Sequence, residues 1–422
     1  MHILIVTQYF WPENFRINDL AMGFFERGRK VTVLTGIPNY PDGRFFSGYG
    51  FFRNMRQDYH GIRVIRVPLL PRGNGEAFRL ALNYISFAFC ASLLGPFYCR
   101  EKYDLIFVFE PSPITVGLPA LVLKKLKSVP LMFWVQDLWP ESLSATRAVQ
   151  SWKILKMVER LVRFIYSRCE RILVTSSAYS APIEGHGVDT CRILYFPQSV
   201  EDVYKPMTAE SDAVERVMMP TGFRIMFAGN IGAAQDFGTI LDAAERLKDY
   251  SEIHWVIVGD GRMRSWVEQQ VKERGLSRSF HLLGRYPIQS MPHFFARADV
   301  MLVTLKREPI FALTLPGKIQ SYLACGKPII AALDGEGAIL VRESGAGLSC
   351  PAQDADALAK AVLAMHRMHE EERKIMGIRG REYYELHFDR NMLINKLTGW
   401  MQELINEISE LLTRWNMSET IY

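Results

Sequence analysis

The segment Glu308–Lys327, EPIFALTLPGKIQSYLACGK, carries the most informative chemistry in the chain. Pro316 suits the opening of a helix, so Lys318 falls in its first turn, where a cation opposes the helix dipole. A local rule broken at a loop end points to a ligand that repairs it, and a phosphate would do so through charge-assisted contacts. Ser321 follows at i+3 on the same face, and Glu308 opens the segment. The alternative is a lysine that snorkels to solvent. Two glycine loops could also approach a phosphate closely: Gly229-Asn230-Ile231-Gly232 and Gly259-Asp260-Gly261 each follow an apolar run. Plain strand-to-helix turns would need the same glycines.

The first half places carboxylates at loop ends instead. Glu13, Asn14 and Arg16 lie in WPENFR, Glu110 ends DLIFVFE, and Asp137 and Glu141 lie in QDLWPES. Such groups could bind a second substrate or act as a base. For Asp137 the competing role is a turn or helix cap. The nine histidines form no HxxxH pair and the six cysteines no CxxC pair, so no metal site is expected.

The elements that must position these residues alternate. ILIVTQ, VTVLTG, VIRVPL, DLIFVF, LMFWVQ and RILVTSS are short apolar runs, as a parallel sheet buried on both faces requires. Amphipathic stretches Arg16–Arg29, Thr115–Lys127 and Trp152–Arg168 supply crossovers. RIMFAG, HWVIVG, FHLLG, VMLVTL and PIIAAL repeat the plan, with helices expected at 239–248, 263–274, 291–297 and 316–325. These runs predict an α/β chain of two doubly wound domains, 1–200 and 201–390, with the site in the cleft between their strand ends. A polar segment rich in proline near 196–222 reads as the linker, and 391–412 as a long final helix.

Residues 1–200 hold 24 Lys/Arg against 15 Asp/Glu, and the remainder 26 against 30. A basic first half suits an anionic partner, and scattered charge without a dense tract gives no reason to expect nucleic acid. Residues 80–99 are uncharged and long enough to span a membrane, but Asn83, Ser86, Ser92, Gly95 and Pro96 interrupt them. A buried or membrane-touching helix is expected there. The amino terminus reads as a core strand, and the protein is expected in the cytoplasm.

YFWPENFRINDLA, TGIPNYPDG, PSPIT, QDLWPES, FAGNIGAAQDF, VGDGR and LPGKIQSYLACGKPIIAALDGEGA resemble retaining glycosyltransferases of family 4, which have the GT-B fold. More narrowly they resemble the WbuB-type N-acetyl-L-fucosamine transferases of O-antigen and capsule synthesis. The resemblance implies a UDP-sugar co-substrate and no required cofactor. Gly229–Gly232 would lie on the diphosphate, backbone near Arg285 and Tyr286 by the base, and Lys318 and Ser321 by phosphate and ribose. It also implies an undecaprenyl-diphosphate-linked acceptor at the inner face of the cytoplasmic membrane, peripheral attachment there, and a last helix (391–422) crossing back to the first domain. The departing diphosphate would assist deprotonation of the acceptor. The chain departs from the family where a Glu pair is usual: Leu313 and Ser321 occupy those positions, and Glu308 is the candidate substitute for the first. Asn230 and Gln235 or Asp236 stand where Arg and Lys are usual. Two other readings remain open: a UDP-sugar 2-epimerase on the same fold, and a non-catalytic partner in polysaccharide assembly.

Overall fold

The computed structural model describes residues 1–145, 149, 151–208 and 218–419. The middle of the expected linker and the last three residues lie outside the described residues. Two compact units divide the chain: Met1–Pro197 with Asn391–Tyr422, and Gln198–Arg390.

The first unit is an eight-stranded sheet. Its strands are β1 (His2–Val6), β2 (Lys30–Gly36), β3 (Arg56–Tyr59), β4 (Ile62–Val67), β5 (Leu105–Glu110), β6 (Leu131–Val135), β7 (Arg171–Val174) and β8 (Ile193–Tyr195). Their order is β3-β4-β2-β1-β5-β6-β7-β8, and only β3 runs antiparallel to its neighbour. Helices cover both faces, which is why β1, β5 and β6 are buried along their whole length and mostly apolar. On one face Ile3, Ile5, Phe107 and Trp134 form a core with Phe24 of the helix Arg16–Glu26. Leu393, Ile394, Leu397 and Met401 of the last helix, Arg390–Glu419, join the same core. Arg27 fixes that helix further by donating to the side chains of Asn391 and Asn395, each at 2.7 Å.

The opposite face carries the helices Ala77–Tyr98, Gly117–Lys127 and Trp152–Tyr166. Close approach depends on small residues: a Cβ at Gly117 would lie 2.6 Å from Ile165, and one at Gly95 would lie 3.1 Å from Leu34. Ala77–Tyr98 is one helix, and Pro96 lies in its last turn.

The second unit has six parallel strands: β9 (Phe223–Ala228), β10 (Ile253–Val258), β11 (Phe280–Gly284), β12 (Val300–Thr304), β13 (Ile329–Ala332) and β14 (Gly347–Cys350). The order β11-β10-β9-β12-β13-β14 is the doubly wound one, with an apolar core on either face. Its helices include Phe237–Arg246, Arg264–Glu273, Met291–Arg297 and Gly317–Ala324, close to the expected ranges.

Candidate functional site

In a doubly wound sheet ligands bind beyond the carboxyl ends of the strands, where the strand order reverses. In the second unit that point lies between β9 and β12. The loop after β9 is Gly229–Gly232, and the loop after β12 leads to Glu308. The two are joined: Lys306 N–H donates to Ala234 O at 2.9 Å, and Thr304 Oγ1 to Gln235 O at 2.5 Å.

The glycine loops pack backbone on backbone. Gly229 N–H donates to Val258 O and Ile231 N–H to Asp260 O, both at 2.8 Å. A Cβ at Gly259 would stand 1.8 Å from Gly229 O, and φ there is +151°, so only glycine fits. Gly259 N–H reaches Gly284 O at 2.8 Å, which ties in the segment bearing Arg285 and Tyr286. Arg285 is exposed, while Tyr286 packs on Phe294 and donates to Met218 Sδ. Asp260 is exposed and accepts from Gly261 N–H at 2.7 Å.

The loop does not lead straight into a helix, contrary to expectation. A 3-10 turn, Ala233–Gln235, intervenes, and Asp236 stands at the N-cap of Phe237–Arg246 with its carboxylate bound to the Thr239 hydroxyl. An acidic residue already occupies that helix end, so its dipole offers little to a phosphate. Among the described residues the amides of Asn230 and Gly232 find no hydrogen-bond partner.

Lys318 supplies what the helix end does not. It is the second residue of Gly317–Ala324, and its stem lies across Gly229, where a Cβ would meet Lys318 Cε at 2.8 Å. Its ammonium is shut off from solvent, finds no hydrogen-bond partner among the described residues, and sits 3.5 Å above the Phe227 ring centroid. The ring face offsets part of the lost hydration, but burial still pulls the pKa down to about 7. The snorkelling alternative does not describe this side chain. Ser321 is buried and donates to Gly317 O at 3.3 Å, so the implied ribose contact would require that bond to open. Glu308 is half-buried at the N-cap of Pro309–Leu313 and makes no capping bond with its side chain. Sequence reasoning missed Tyr322, whose hydroxyl accepts from Ala228 N–H at 3.1 Å and so fixes the end of β9. Its position one turn beyond Lys318 was the available signal.

In the first unit the strand order reverses between β1 and β5, and the predicted carboxylates gather at those ends. Glu13 Oε1 accepts from Asn39 N–H at 2.8 Å and Tyr40 N–H at 2.7 Å. Burial nevertheless raises its pKa to about 7. Glu13 therefore holds the PNYP loop in place. Asn39 Oδ1 in turn accepts from Arg72 N–H and from Asn83, while Asn83 Oδ1 accepts from Gln8 Nε2 at 2.7 Å. Arg66, fully buried behind them, donates to Trp11 O at 2.6 Å, and burial lowers its pKa to about 10. Sequence reasoning missed Gln8, Asn39, Arg66 and Asn83. Asn14 is exposed and Arg16 half-buried at the helix start.

Glu110 is buried, and among the described residues neither carboxylate oxygen has a hydrogen bond of good geometry, although the Gln136 and Asp137 amides lie near it. Burial and then the charge of Asp137 raise its pKa well above the ordinary value; the Gln136 and Asp137 amides offset only part of this. Asp137 keeps some solvent contact, but the protein around its carboxyl raises its pKa to about 7. Two carboxyls on adjacent strand ends, one held neutral and one titrating near 7, suit a proton-handling site. Burial pushes the Glu141 carboxyl up, but its interaction with the His186 ring, 3.5 Å away, outweighs this and leaves it below its ordinary value. Among the described residues no group of three or more His, Cys, Asp or Glu could hold a metal ion.

Two doubly wound units, each with a candidate site at the switch point of its strand order, make the GT-B fold. The profile of the glycosyl transferase 4-like domain matches residues 14–198, and that of glycosyl transferases group 1 matches residues 222–367. The chain belongs to this group of GT-B glycosyltransferases. It is 26% identical over 278 residues to WbjE of Pseudomonas aeruginosa, named as a glycosyltransferase, covering 65% of this chain and 68% of that one. It is 25% identical over 312 residues to WcaI of Escherichia coli K12, named for a glycosyl transferase of colanic acid biosynthesis, covering 71% and 74%. The fold is also that of sucrose-phosphate synthase from Thermosynechococcus elongatus, with a TM-score of 0.73, 16% identity, and 96% and 99% of the two chains covered. Anabaena HepE, solved in complex with UDP, gives a TM-score of 0.67 at 15% identity, with 98% and 100% covered.

Proposed function

We propose that the chain transfers an N-acetylated deoxyhexose, N-acetyl-L-fucosamine or a close analogue, from a UDP-sugar to an undecaprenyl-diphosphate-linked saccharide in assembly of a bacterial surface polysaccharide. The observation that carries this reading is the buried, unpartnered ammonium of Lys318 beside Gly229. A diphosphate would supply the missing counter-charge, and the ammonium would stabilise the leaving group as the sugar–oxygen bond breaks. UDP bound by a protein of the same fold, and relatives named for glycosyl transfer and colanic acid synthesis, support the donor and the pathway class.

The acceptor hydroxyl attacks the anomeric carbon, and its proton passes to a diphosphate oxygen on the same face, so the anomeric configuration is retained. Asp137, backed by neutral Glu110, orients that hydroxyl, and Glu141 and Arg16 line the acceptor side. Glu308 bonds the donor sugar. Arg285 and Tyr286 present backbone to the base. No cofactor takes part, and the enzyme works at the cytoplasmic face of the inner membrane.

Calorimetric titration of the whole chain with UDP, GDP and ADP, with and without a divalent ion, tests the donor reading. Selective UDP binding that persists without the ion is expected. Equal affinity for all three would refute the UDP preference, and no binding, even with lipid acceptor, would favour the non-catalytic alternative.

A further inference from the structure

The helix Ala77–Tyr98 is apolar on both faces. Asn83, Phe87, Ala88, Ala91 and Gly95 point into the unit. Phe78, Ile85, Phe89, Leu93 and Phe97 point out, and each is more than half exposed. At 100° per residue these outward positions share one arc of about 120°. A helix with an apolar inner face and an equally apolar outer face lacks a partner.

The outer arc has neighbours. Ala77–Tyr98 packs along Gly117–Lys127, and that helix packs against Trp152–Tyr166. All three lie on one side of the sheet, and the second and third expose apolar side chains of their own: Leu126, Trp152 and Met157. Exposed cations stand among them: Lys125, Lys153, Lys156 and Arg160. Glu159, the one acidic residue of Trp152–Tyr166, is paired with Arg163 at 2.9 Å. Exposed aromatic and aliphatic side chains beside exposed cations match an anionic lipid interface, which offers acyl chains and negative headgroups together.

We propose that these three helices form one docking face that lies in the plane of an anionic bilayer, and that Ala77–Tyr98 does not cross it. This rests on the lipid-linked acceptor proposed above and names the surface that would meet it. The inward side of the same helix argues against a span. Asn83 is fully buried and bonded to Gln8, to Leu70 O at 2.6 Å and to Asn39. Asn39 itself belongs to the loop that Glu13 holds, and its N–H donates to Glu13 Oε1. Extraction of the helix into lipid would break this network. The helix instead presents lipid contacts outward and supports the acceptor site inward, so an acceptor anchored in the bilayer would meet its site without leaving the surface.

Flotation of the full chain with vesicles tests this, using phosphatidylcholine alone and phosphatidylcholine with phosphatidylglycerol. Binding is expected only with the anionic lipid, weakened by salt, and released by an alkaline carbonate wash. The triple variant I85E/F89E/L93E should bind vesicles about tenfold more weakly, as should K153E/K156E. The pair I375E/I378E, exposed in the second unit, should bind unchanged. Both docking variants should keep native circular dichroism, wild-type UDP affinity and transfer to a water-soluble acceptor. Unchanged vesicle binding by I85E/F89E/L93E, retention after the carbonate wash, or a dimer in solution that this variant dissolves would each overturn the proposal. If docking holds but no UDP-sugar is used, the proposed function fails and the membrane face stands.

Discussion

Replacing Lys318 by methionine keeps the stem across Gly229 and removes the charge. A charged hydrogen bond contributes about 1.5–3 kcal/mol, so UDP should bind roughly 10- to 150-fold more weakly to the variant. A second signature is specific to this lysine. With its pKa at about 7, the free enzyme at pH 8 carries the ammonium protonated about one-tenth of the time. A bound diphosphate holds it protonated, so binding should take up about 0.9 proton. The ligand contributes almost none, because a terminal phosphate titrates near about 6. Calorimetry at pH 8 in two buffers of different ionisation enthalpy measures this uptake directly. Uptake near zero in the wild type, or equal uptake in Lys318→Met, would refute the placement of the diphosphate. The stability of the free protein gives an independent check. Between pH 7 and 10.5 the unfolded chain binds the proton that the folded one has lost. Wild-type stability relative to Lys318→Met should therefore rise with pH across that window.

Asp137→Asn should lower turnover more than donor affinity. If the ionised carboxylate orients the acceptor, wild-type turnover should fall about tenfold per pH unit below 7, and the variant should lose this limb in a pH–rate profile. Glu110→Gln should melt at or above the wild-type temperature at pH 8. Folding holds the Glu110 proton that the unfolded chain releases, so wild-type stability falls as pH rises above the ordinary carboxyl range. Tyr322→Phe leaves the Ala228 amide without its partner and should cost about 1–3 kcal/mol in denaturant unfolding. Gly229→Ala should weaken UDP binding in the same titration, because the new Cβ displaces the Lys318 stem and φ is +132°.

The apolar runs read well because a strand buried on both faces needs them. The elements missed were those with another reason to exist. β3, RQDY, is a polar edge strand that borrows its place from β4. β8 and β14 are short, and GLSC in β14 has no β-branched residue. The helix Glu336–Glu343 starts inside DGEGA, which reads as a turn. Lys318 was legible from a local conflict with the helix dipole. Arg66, Asn39 and Asn83 were not, because their burial is explained only by partners distant in sequence. Arg66 even hides within the apolar run VIRVPL. The first glycine loop reads as one that could approach a phosphate closely, and the acidic N-cap Asp236 four residues beyond its last glycine is not signalled by the glycines themselves.

The most direct test is transfer itself. The whole chain is incubated with a panel of UDP-N-acetyl-deoxyhexoses and a lipid-diphosphate-linked saccharide, while UDP release and acceptor mass are followed together. The account predicts UDP released in equal amount to an acceptor heavier by one N-acetylated deoxyhexose residue. Conversion of the donor to its 2-epimer without acceptor gain, or no turnover of a donor that binds, would contradict it.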